Sequence, residues 1–309
     1  MQLYLPIAGM TLDLWLLLGL GLSVGILSGI FGVGGGFILT PLLIVLGVPP
    51  LVAVGTGASI VVAASVSGAL AQWQRGNVDV AMGLVLVASG IAGAGLGSQL
   101  QAWLKSLGQL ELFTSITYAG ILTAIGSVML TEGLWAWRQA MYPAVAVGRQ
   151  RRPDRGMLQK LPLRMRFRRS KMYISVVPPV VIGMFVGLAT AIMGAGGGFL
   201  LIPLLLYILK LNTRVALGTS AFQVMCVTAF TTVLQAHVNQ NVDIMLGLPL
   251  MLGSVVGAQY GVRMGGALKP EQLRILLALL VLSVGTRMAY DLTAKPDELY
   301  NLQDATLHR

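Results

Sequence analysis

Residues 25–43 read GILSGIFGVGGGFILTPLL, and residues 187–205 read GLATAIMGAGGGFLLIPLL. The two segments share three consecutive glycines followed by phenylalanine, with a proline further on. Their spacing is the same, since Gly36 matches Gly198, Phe37 matches Phe199 and Pro41 matches Pro203. The similarity continues along the chain, where Asn77-Val78-Asp79 corresponds to Asn241-Val242-Asp243. Self-similarity over so long a stretch indicates an internal duplication.

The composition of the 309 residues is typical of a membrane protein. Hydrophobic residues make up 56%, charged residues make up 10%, and the mean hydropathy is +0.81. A soluble domain carries about 25% charged residues, and a disordered chain is poor in apolar residues. The composition therefore excludes soluble globular and disordered proteins and predicts a polytopic membrane protein.

Each half of the chain contains five apolar segments. They are predicted near 12–33, 37–47, 51–72, 79–98 and 110–131, and near 173–194, 199–209, 214–236, 243–264 and 271–291. The second segment of each set is shorter than the roughly 20 residues that a helix needs to cross the hydrocarbon core. Whether these short segments cross or return is left open.

The predicted fold is an all-α polytopic membrane protein with two inverted repeats. Each repeat is a Gly-tipped helical hairpin, made of a long and a short segment, followed by three transmembrane helices. An odd number of crossings in each half inverts the second half relative to the first. A parallel arrangement of the two halves remains the alternative.

The positive charge is concentrated between the halves. Ten of the 21 Lys and Arg residues lie from Arg149 to Lys171, where the only acid is Asp154. The positive-inside rule places this stretch in the cytoplasm, beside anionic lipid headgroups, and no nucleic-acid partner is expected. Both termini then face the outside. The predicted organisation is a first membrane repeat over 1–148, a basic cytoplasmic linker over 149–171, a second membrane repeat over 172–293 and a short polar C-terminal tail over 294–309.

Two further patterns are interpreted as structural. Glycines at small-xxx-small spacing are predicted to let helices approach closely; they are Gly90, Gly93 and Gly97, and Gly253, Gly257 and Gly261. Asp79 and Asp243 stand where the fourth helices of the two halves begin, so they are predicted to be N-caps.

The glycine runs are the first candidate substrate site. A glycine run that opens a short helix leaves amide groups without partners at the positive end of the helix dipole, which favours an anion. Two such tips, inverted and facing each other, would bracket one small anion. The candidate residues are Gly34, Gly35, Gly36 and Phe37, and Gly196, Gly197, Gly198 and Phe199. Alternatively, the glycines only permit a tight turn with close packing.

The third segment of each half supplies the polar candidates. They are Thr56, Ser59 and Gln72 in the first half, and Thr219, Ser220, Gln223 and Gln235 in the second. Gln72 and Gln235 occupy corresponding positions in the two halves, which favours a shared cavity. Alternatively, the Ser and Thr hydroxyls bond back to their own helices.

The sequence gives little support for catalysis, for a metal site or for a cofactor. No Ser-His-Asp set, HExxH motif or pair of carboxylates appears, and Cys226 is the single cysteine. No Asp, Glu, Lys or Arg lies clearly at mid-membrane, although ion-coupled transporters usually bury such groups. The expected transport is driven by the gradient of the anion itself or linked to protons through protonation of the substrate.

The paired G-x-G-G-G-F…P-L-L motifs, together with the G-T and N-V-D segments, resemble the TauE/SafE sulfite exporter family over roughly residues 20–135 and 175–291. The resemblance implies an inner-membrane, multi-pass bacterial transporter, with export as the expected direction, for small sulfur-containing or organic anions such as sulfite or sulfonates. An anion channel and a membrane-embedded enzyme or assembly factor are the alternatives. The exact anion and the oligomeric state, with a homodimer as one option, remain open.

Overall fold

A computed structural model describes residues 2–31, 35–141, 164–167, 172–194, 196–265 and 270–293. The first half contains strands β1 (Gln2–Leu5) and β2 (Met10–Asp13), followed by helices α1 (Leu14–Phe31), α2 (Gly36–Val45), α3 (Pro50–Gln74), α4 (Val80–Ser106) and α5 (Leu110–Met141). The second half contains β3 (Arg164–Phe167), β4 (Met172–Ser175), α6 (Val177–Met193), α7 (Gly198–Tyr207), α8 (Thr213–Leu234), α9 (Ile244–Gly265) and α10 (Pro270–Thr293).

Four helices in this part of the chain are long and apolar enough to cross a membrane. They are Pro50–Gln74, Val80–Ser106, Arg214–His237 and Ile244–Met264. Shorter apolar helices accompany them, including both predicted short segments, Gly36–Val45 and Gly198–Tyr207. The structure is that of a mainly helical membrane protein, as predicted.

The first short helix returns to the end of the molecule from which α1 starts. Gly47, just after α2, approaches Met10, just before α1: a Cβ on Gly47 would lie 3.8 Å from Met10 Cε. Helix α2 has 10 residues, about 15 Å at the usual rise of 1.5 Å per residue. Helices α1 and α2 therefore run in opposite directions and form a hairpin.

Glycines bring the first helix of each half against the fourth helix of the other half. In the α1–α9 pair, Gly21 approaches Leu250, Gly25 approaches Ser254 and Gly29 approaches Ala258. Both residue numbers increase together, so α1 and α9 run parallel. A Cβ on Gly21 would lie 2.5 Å from the Leu250 carbonyl oxygen, a distance that no side chain tolerates.

The α4–α6 pair is the counterpart of α1–α9 and uses the predicted glycines. Gly93 approaches the backbone of Met184, and Gly97 approaches the backbone of Leu188. Gly257 and Gly261 play the same part on α9, against Leu22 and Ile26. The predicted packing role of these glycines is confirmed.

Corresponding helices of the two halves run in opposite directions where they pack. Gly55, near the start of α3, contacts Asn241 beyond the end of α8, whereas Gly218, near the start of α8, contacts Asn77 beyond the end of α3. Helices α5 and α10 are also antiparallel, because Gly126 approaches Leu282 and Gly285 approaches Thr123.

Each half begins with a small antiparallel hairpin of strands, which the sequence analysis did not predict. Strands β1 and β2 pair with each other, as do β3 and β4. Strand β3 lies within the predicted basic linker, 149–171. The other residues of that linker lie outside the described residues. Asp13 and Ser175, which occupy corresponding positions in the two halves, accept hydrogen bonds from the amides of Trp15 (3.3 Å) and Val177 (3.2 Å).

Candidate functional site

The two short helices begin at glycines with left-handed backbone conformations. Gly35 precedes α2 with φ of 70°, and Gly197 precedes α7 with φ of 62°. A side chain is strained at such angles, and there is no room for one either. A Cβ on Gly35 would lie 2.9 Å from Val24 Cγ1, and one on Gly197 would lie 2.5 Å from Val186 Cγ1. Both helices therefore require glycine at this position.

The first turn of each short helix presents amide groups to the interior. The Ile38 amide donates to the Gly35 carbonyl (3.1 Å), and the Leu200 amide donates to the Gly197 carbonyl (3.1 Å). The amides before them, those of the first two residues of each helix, meet no acceptor among the described residues. Together with the helix dipole, these groups make each tip electropositive.

The two tips meet at the centre of the molecule. Phe37 and Phe199, each the second residue of its helix, pack with ring centroids 5.2 Å apart and ring planes inclined at 34°. Their exposed fractions are 1% and 0%. The N-termini of α2 and α7 therefore lie close together in a buried region, as the bracketing arrangement requires.

Helices α3 and α8 flank this centre. A Cβ on Gly196 would lie 2.5 Å from Val61 Cγ1 on α3, 3.3 Å from Val224 Cγ1 and 3.2 Å from Thr228 Cγ2 on α8. Ser65 is buried, and it corresponds to Thr228 in the same alignment of the halves that pairs the two predicted glutamines. Both residues belong to the polar third segments of the repeats, but neither is among the predicted substrate-binding residues, and their correspondence in the repeat is a signal that could have identified Ser65.

Thr56 and Thr219 hold the Asn-Val-Asp segments of the opposite halves. The Thr56 hydroxyl accepts a hydrogen bond from the Asp243 amide (3.0 Å), and the Thr219 hydroxyl accepts one from the Asp79 amide (3.1 Å). We call these contacts the first clasp (Gly55, Thr56, Asn241, Asp243) and the second clasp (Gly218, Thr219, Asn77, Asp79). The glycines leave room for the asparagines: a Cβ on Gly55 would lie 2.5 Å from Asn241 Oδ1.

The two aspartates are helix N-caps, which confirms the prediction. Asp79 Oδ1 accepts from the Met82 amide (3.3 Å), and Asp243 Oδ1 accepts from the Leu246 amide (3.2 Å). Asp243 Oδ2 also accepts from the Ile7 amide (2.9 Å), which attaches the first strand hairpin to α9. Both carboxylates are buried, but at the ends of helices, where backbone amides stabilise a negative charge.

The predicted glutamines lie near the two clasps. Gln72 Oε1 accepts from Asn77 Nδ2 (2.8 Å), and Gln235 Oε1 accepts from Asn241 Nδ2 (3.1 Å). Gln235 Nε2 also donates to Gln101 Oε1 (2.7 Å). Since the two clasps lie at opposite ends of the antiparallel helices α3 and α8, the two glutamines lie at opposite ends as well.

The remaining polar candidates differ in their hydrogen bonding. The Ser59 hydroxyl donates to the Thr56 carbonyl (2.6 Å), and the Ser220 hydroxyl donates to the Leu217 carbonyl (3.0 Å), each within its own helix. Gln223 is fully buried between α8 and α4, and neither atom of its amide has a hydrogen-bond partner among the described residues.

The structure thus brings the glycine tips together and distributes most polar candidates elsewhere. The central group is Gly35, Gly36, Phe37, Gly196, Gly197, Gly198 and Phe199. Gly34 lies outside the described residues.

Side chains from other helices donate hydrogen bonds to the C-terminal end of α6. Its last carbonyls accept hydrogen bonds from Gln235 (at Ala191, 3.2 Å), from Gln101 (at Ile192, 3.2 Å) and from Tyr118 (at Met193). Carbonyl groups without partners are costly inside a membrane, so these donors stabilise the second hairpin. Within the described residues, no group of His, Cys, Asp and Glu side chains could hold a metal ion.

Comparison with known proteins identifies the family of the chain. The model of the family described as "Sulfite exporter TauE/SafE" matches residues 17–288. "Probable membrane transporter protein YjnA" of Bacillus subtilis (strain 168) is 27% identical over 272 residues, which cover 87% of this chain and 97% of that protein.

Other relatives are of the same kind. "Probable membrane transporter protein YunE" of Bacillus subtilis (strain 168) is 24% identical over 89% of this chain and 97% of its own length. A "Probable membrane transporter protein" of Xylella fastidiosa (strain 9a5c) is 29% identical over 79% of this chain and 82% of its own length. No solved structure matches the chain. The chain belongs to the TauE/SafE sulfite exporter family and is a membrane transport protein rather than an enzyme.

Proposed function

We propose that the protein exports small sulfur-containing or organic anions, such as sulfite or sulfonates, across the bacterial inner membrane. The anion is held between the N-termini of α2 and α7. The observation that carries the proposal is the meeting of these two tips at Phe37 and Phe199, 5.2 Å apart. Each helix N-terminus bears about half an elementary positive charge, so the pair suits one small anion without any cationic side chain.

The burial of the centre favours a carrier over an open channel. The two phenylalanine rings at the tips are almost fully buried, whereas a channel requires a continuous aqueous path. A substrate reaches such a site only after one end of the molecule opens. The two clasps, one at each end, are the contacts that such an opening would break.

We also propose that the halves are inverted, with the basic linker in the cytoplasm and both termini outside. The antiparallel packing of α3 on α8 supports this arrangement. The corresponding strand hairpins provide a second argument: residues 2–13 contain no Lys or Arg, whereas residues 164–175 contain five. Equivalent elements with such different charge fit opposite sides of a membrane under the positive-inside rule.

The partners proposed for the linker and for the whole chain follow from this orientation. The basic segment 149–171 faces anionic headgroups of the cytoplasmic leaflet. A homodimer is compatible with the exposed apolar surface of the helices, which otherwise contacts lipid.

The test is a substrate screen in proteoliposomes with sulfite, sulfate, methanesulfonate and small carboxylates. We expect flux of sulfite or methanesulfonate that follows the gradient of the anion or of protons. Failure of both anions to move, with another substrate transported, would refute the proposed substrate class. A strict requirement for sodium at fixed potential and pH would refute the proposed driving force.

A further inference from the structure

The two sides of the central site differ in one pair of corresponding residues. Thr228 on α8 donates its hydroxyl hydrogen to the Val224 carbonyl of its own helix (2.6 Å). Ser65, its counterpart on α3, is 4% exposed, and its hydroxyl has no hydrogen-bond partner among the described residues. Serine in a membrane helix ordinarily bonds back to a carbonyl of the preceding turn, so the unpartnered hydroxyl requires an explanation.

Ser65 lies on the face of α3 that borders the glycine tips. Val61 on this face has its Cγ1 2.5 Å from the position of a Cβ on Gly196. Ser65 follows Val61 by about one helical turn and therefore lies on the same face. Thr228, which occupies the corresponding place on α8, approaches the same Cβ position on Gly196 through its Cγ2 at 3.2 Å.

We propose that the Ser65 hydroxyl donates a hydrogen bond to an oxygen of the transported anion and so contributes to substrate selection. This inference rests on the proposed function. The backbone amides of the tips act on any small anion, whereas a side-chain donor beside them adds affinity for an anion with several oxygens, such as sulfite. Thr228 offers no equivalent donor in the second half, because its hydroxyl hydrogen is already engaged.

The experiment is isothermal titration of sodium sulfite into the purified full-length protein, with Thr231→Val as the matched control. We expect Ser65→Ala to raise the Kd for sulfite about tenfold, since a hydrogen bond to a charged group is lost. Thr231→Val loses only a buried hydroxyl that donates to the Val227 carbonyl of its own helix (2.8 Å), so its Kd should stay within about twofold. Ser65→Thr keeps the hydroxyl and should retain binding.

Three results would overturn the inference. They are an unchanged Kd in Ser65→Ala, equal weakening in Ser65→Ala and Thr231→Val, and loss of binding in Ser65→Thr. If Gly35→Val abolishes binding while Ser65→Ala does not change it, the proposed function stands and this inference falls. If the unmodified protein binds neither sulfite nor methanesulfonate, both fall. Ser65→Cys, which keeps the volume but donates weakly, provides a second measurement should the alanine variant aggregate.

Discussion

Individual glycines in this protein meet two different physical demands. Gly35 and Gly197 adopt positive φ angles at the starts of short helices, whereas Gly25 on α1 is helical and lies against the backbone of Ser254. The sequence motif predicted the first demand, because a glycine run before a short apolar segment indicates a turn. The small-xxx-small spacing predicted that such glycines pack closely against another helix. It did not identify the facing residue, which lies in the other half of the chain.

Gly25→Ala tests the packing demand. The added Cβ would meet the Ser254 backbone, and overpacking of this kind costs about 1–3 kcal/mol. Gly19→Ala on the same helix is the control, because nothing lies within 4 Å of its Cβ position. We expect a lower melting temperature for Gly25→Ala alone. The melting temperature is measured by size-exclusion chromatography of samples heated to increasing temperatures. Equal melting temperatures for the two variants would show that α1 and α9 do not pack as described.

The hydrogen-bond partners of Thr56 and Thr219 could not be predicted from the sequence. Thr56 and Thr219 were predicted to bind substrate, because a polar group in a membrane helix indicates a cavity. In the structure their hydroxyls accept hydrogen bonds from the amides of Asp243 and Asp79, which belong to the opposite halves of the chain. No local pattern reveals such partners, although the repeat correspondence of the Gly-Thr and Asn-Val-Asp segments relates the two clasps to each other.

At the scale of helices and strands, the sequence predicted most of the architecture. The apolar segments predicted the helices, and the length of the short segments predicted hairpins. Helix α5 continues to Met141. The predicted segment ended near residue 131 because the last turns of the helix are more polar than a membrane span. The strand hairpins were missed because each strand has only four residues, too few for an alternating pattern to be recognised.

The clasps connect these elements, and Thr56→Val tests the first of them. The substitution keeps the volume but leaves the Asp243 amide without its acceptor, which costs about 1–3 kcal/mol for a buried group. Ser59→Ala, which removes a hydroxyl bonded within α3, is the control and should change stability little. The measurement is the melting temperature of each purified variant. A Thr56→Val variant as stable as Ser59→Ala would show that the first clasp does not stabilise the fold.

At the scale of the whole molecule, the two halves are joined by exchange of packing partners. Helix α1 packs on α9 and α6 packs on α4, so the sequence boundary between the repeats does not divide the packed structure. The duplication itself could be read from the sequence, because the matching motifs recur in the same order and spacing. The exchange could not, because it depends on contacts between residues of different halves.

The orientation of the whole molecule can be tested with single cysteines in a Cys226→Ala background. Gln74, the last residue of α3, and Gln109, just after α4, are exposed and lie on the two sides of α4 in the sequence. We expect a membrane-impermeant maleimide to label Gln109→Cys in intact cells and Gln74→Cys only in inverted vesicles. Labelling of Gln74→Cys in intact cells would reverse the orientation, and labelling of both would contradict the described α4 as a span.

The central claim is that one small anion binds between the two glycine tips. Sulfite titration calorimetry on purified Gly35→Val and Gly197→Val tests it most directly, with Gly95→Val as the control because nothing lies within 4 Å of a Cβ on Gly95. A side chain at either tip conflicts with the positive φ and displaces the amides that hold the anion. The account predicts loss of sulfite binding in both tip variants, as monodisperse protein, and unchanged binding in Gly95→Val. Unchanged affinity in either monodisperse tip variant would contradict it.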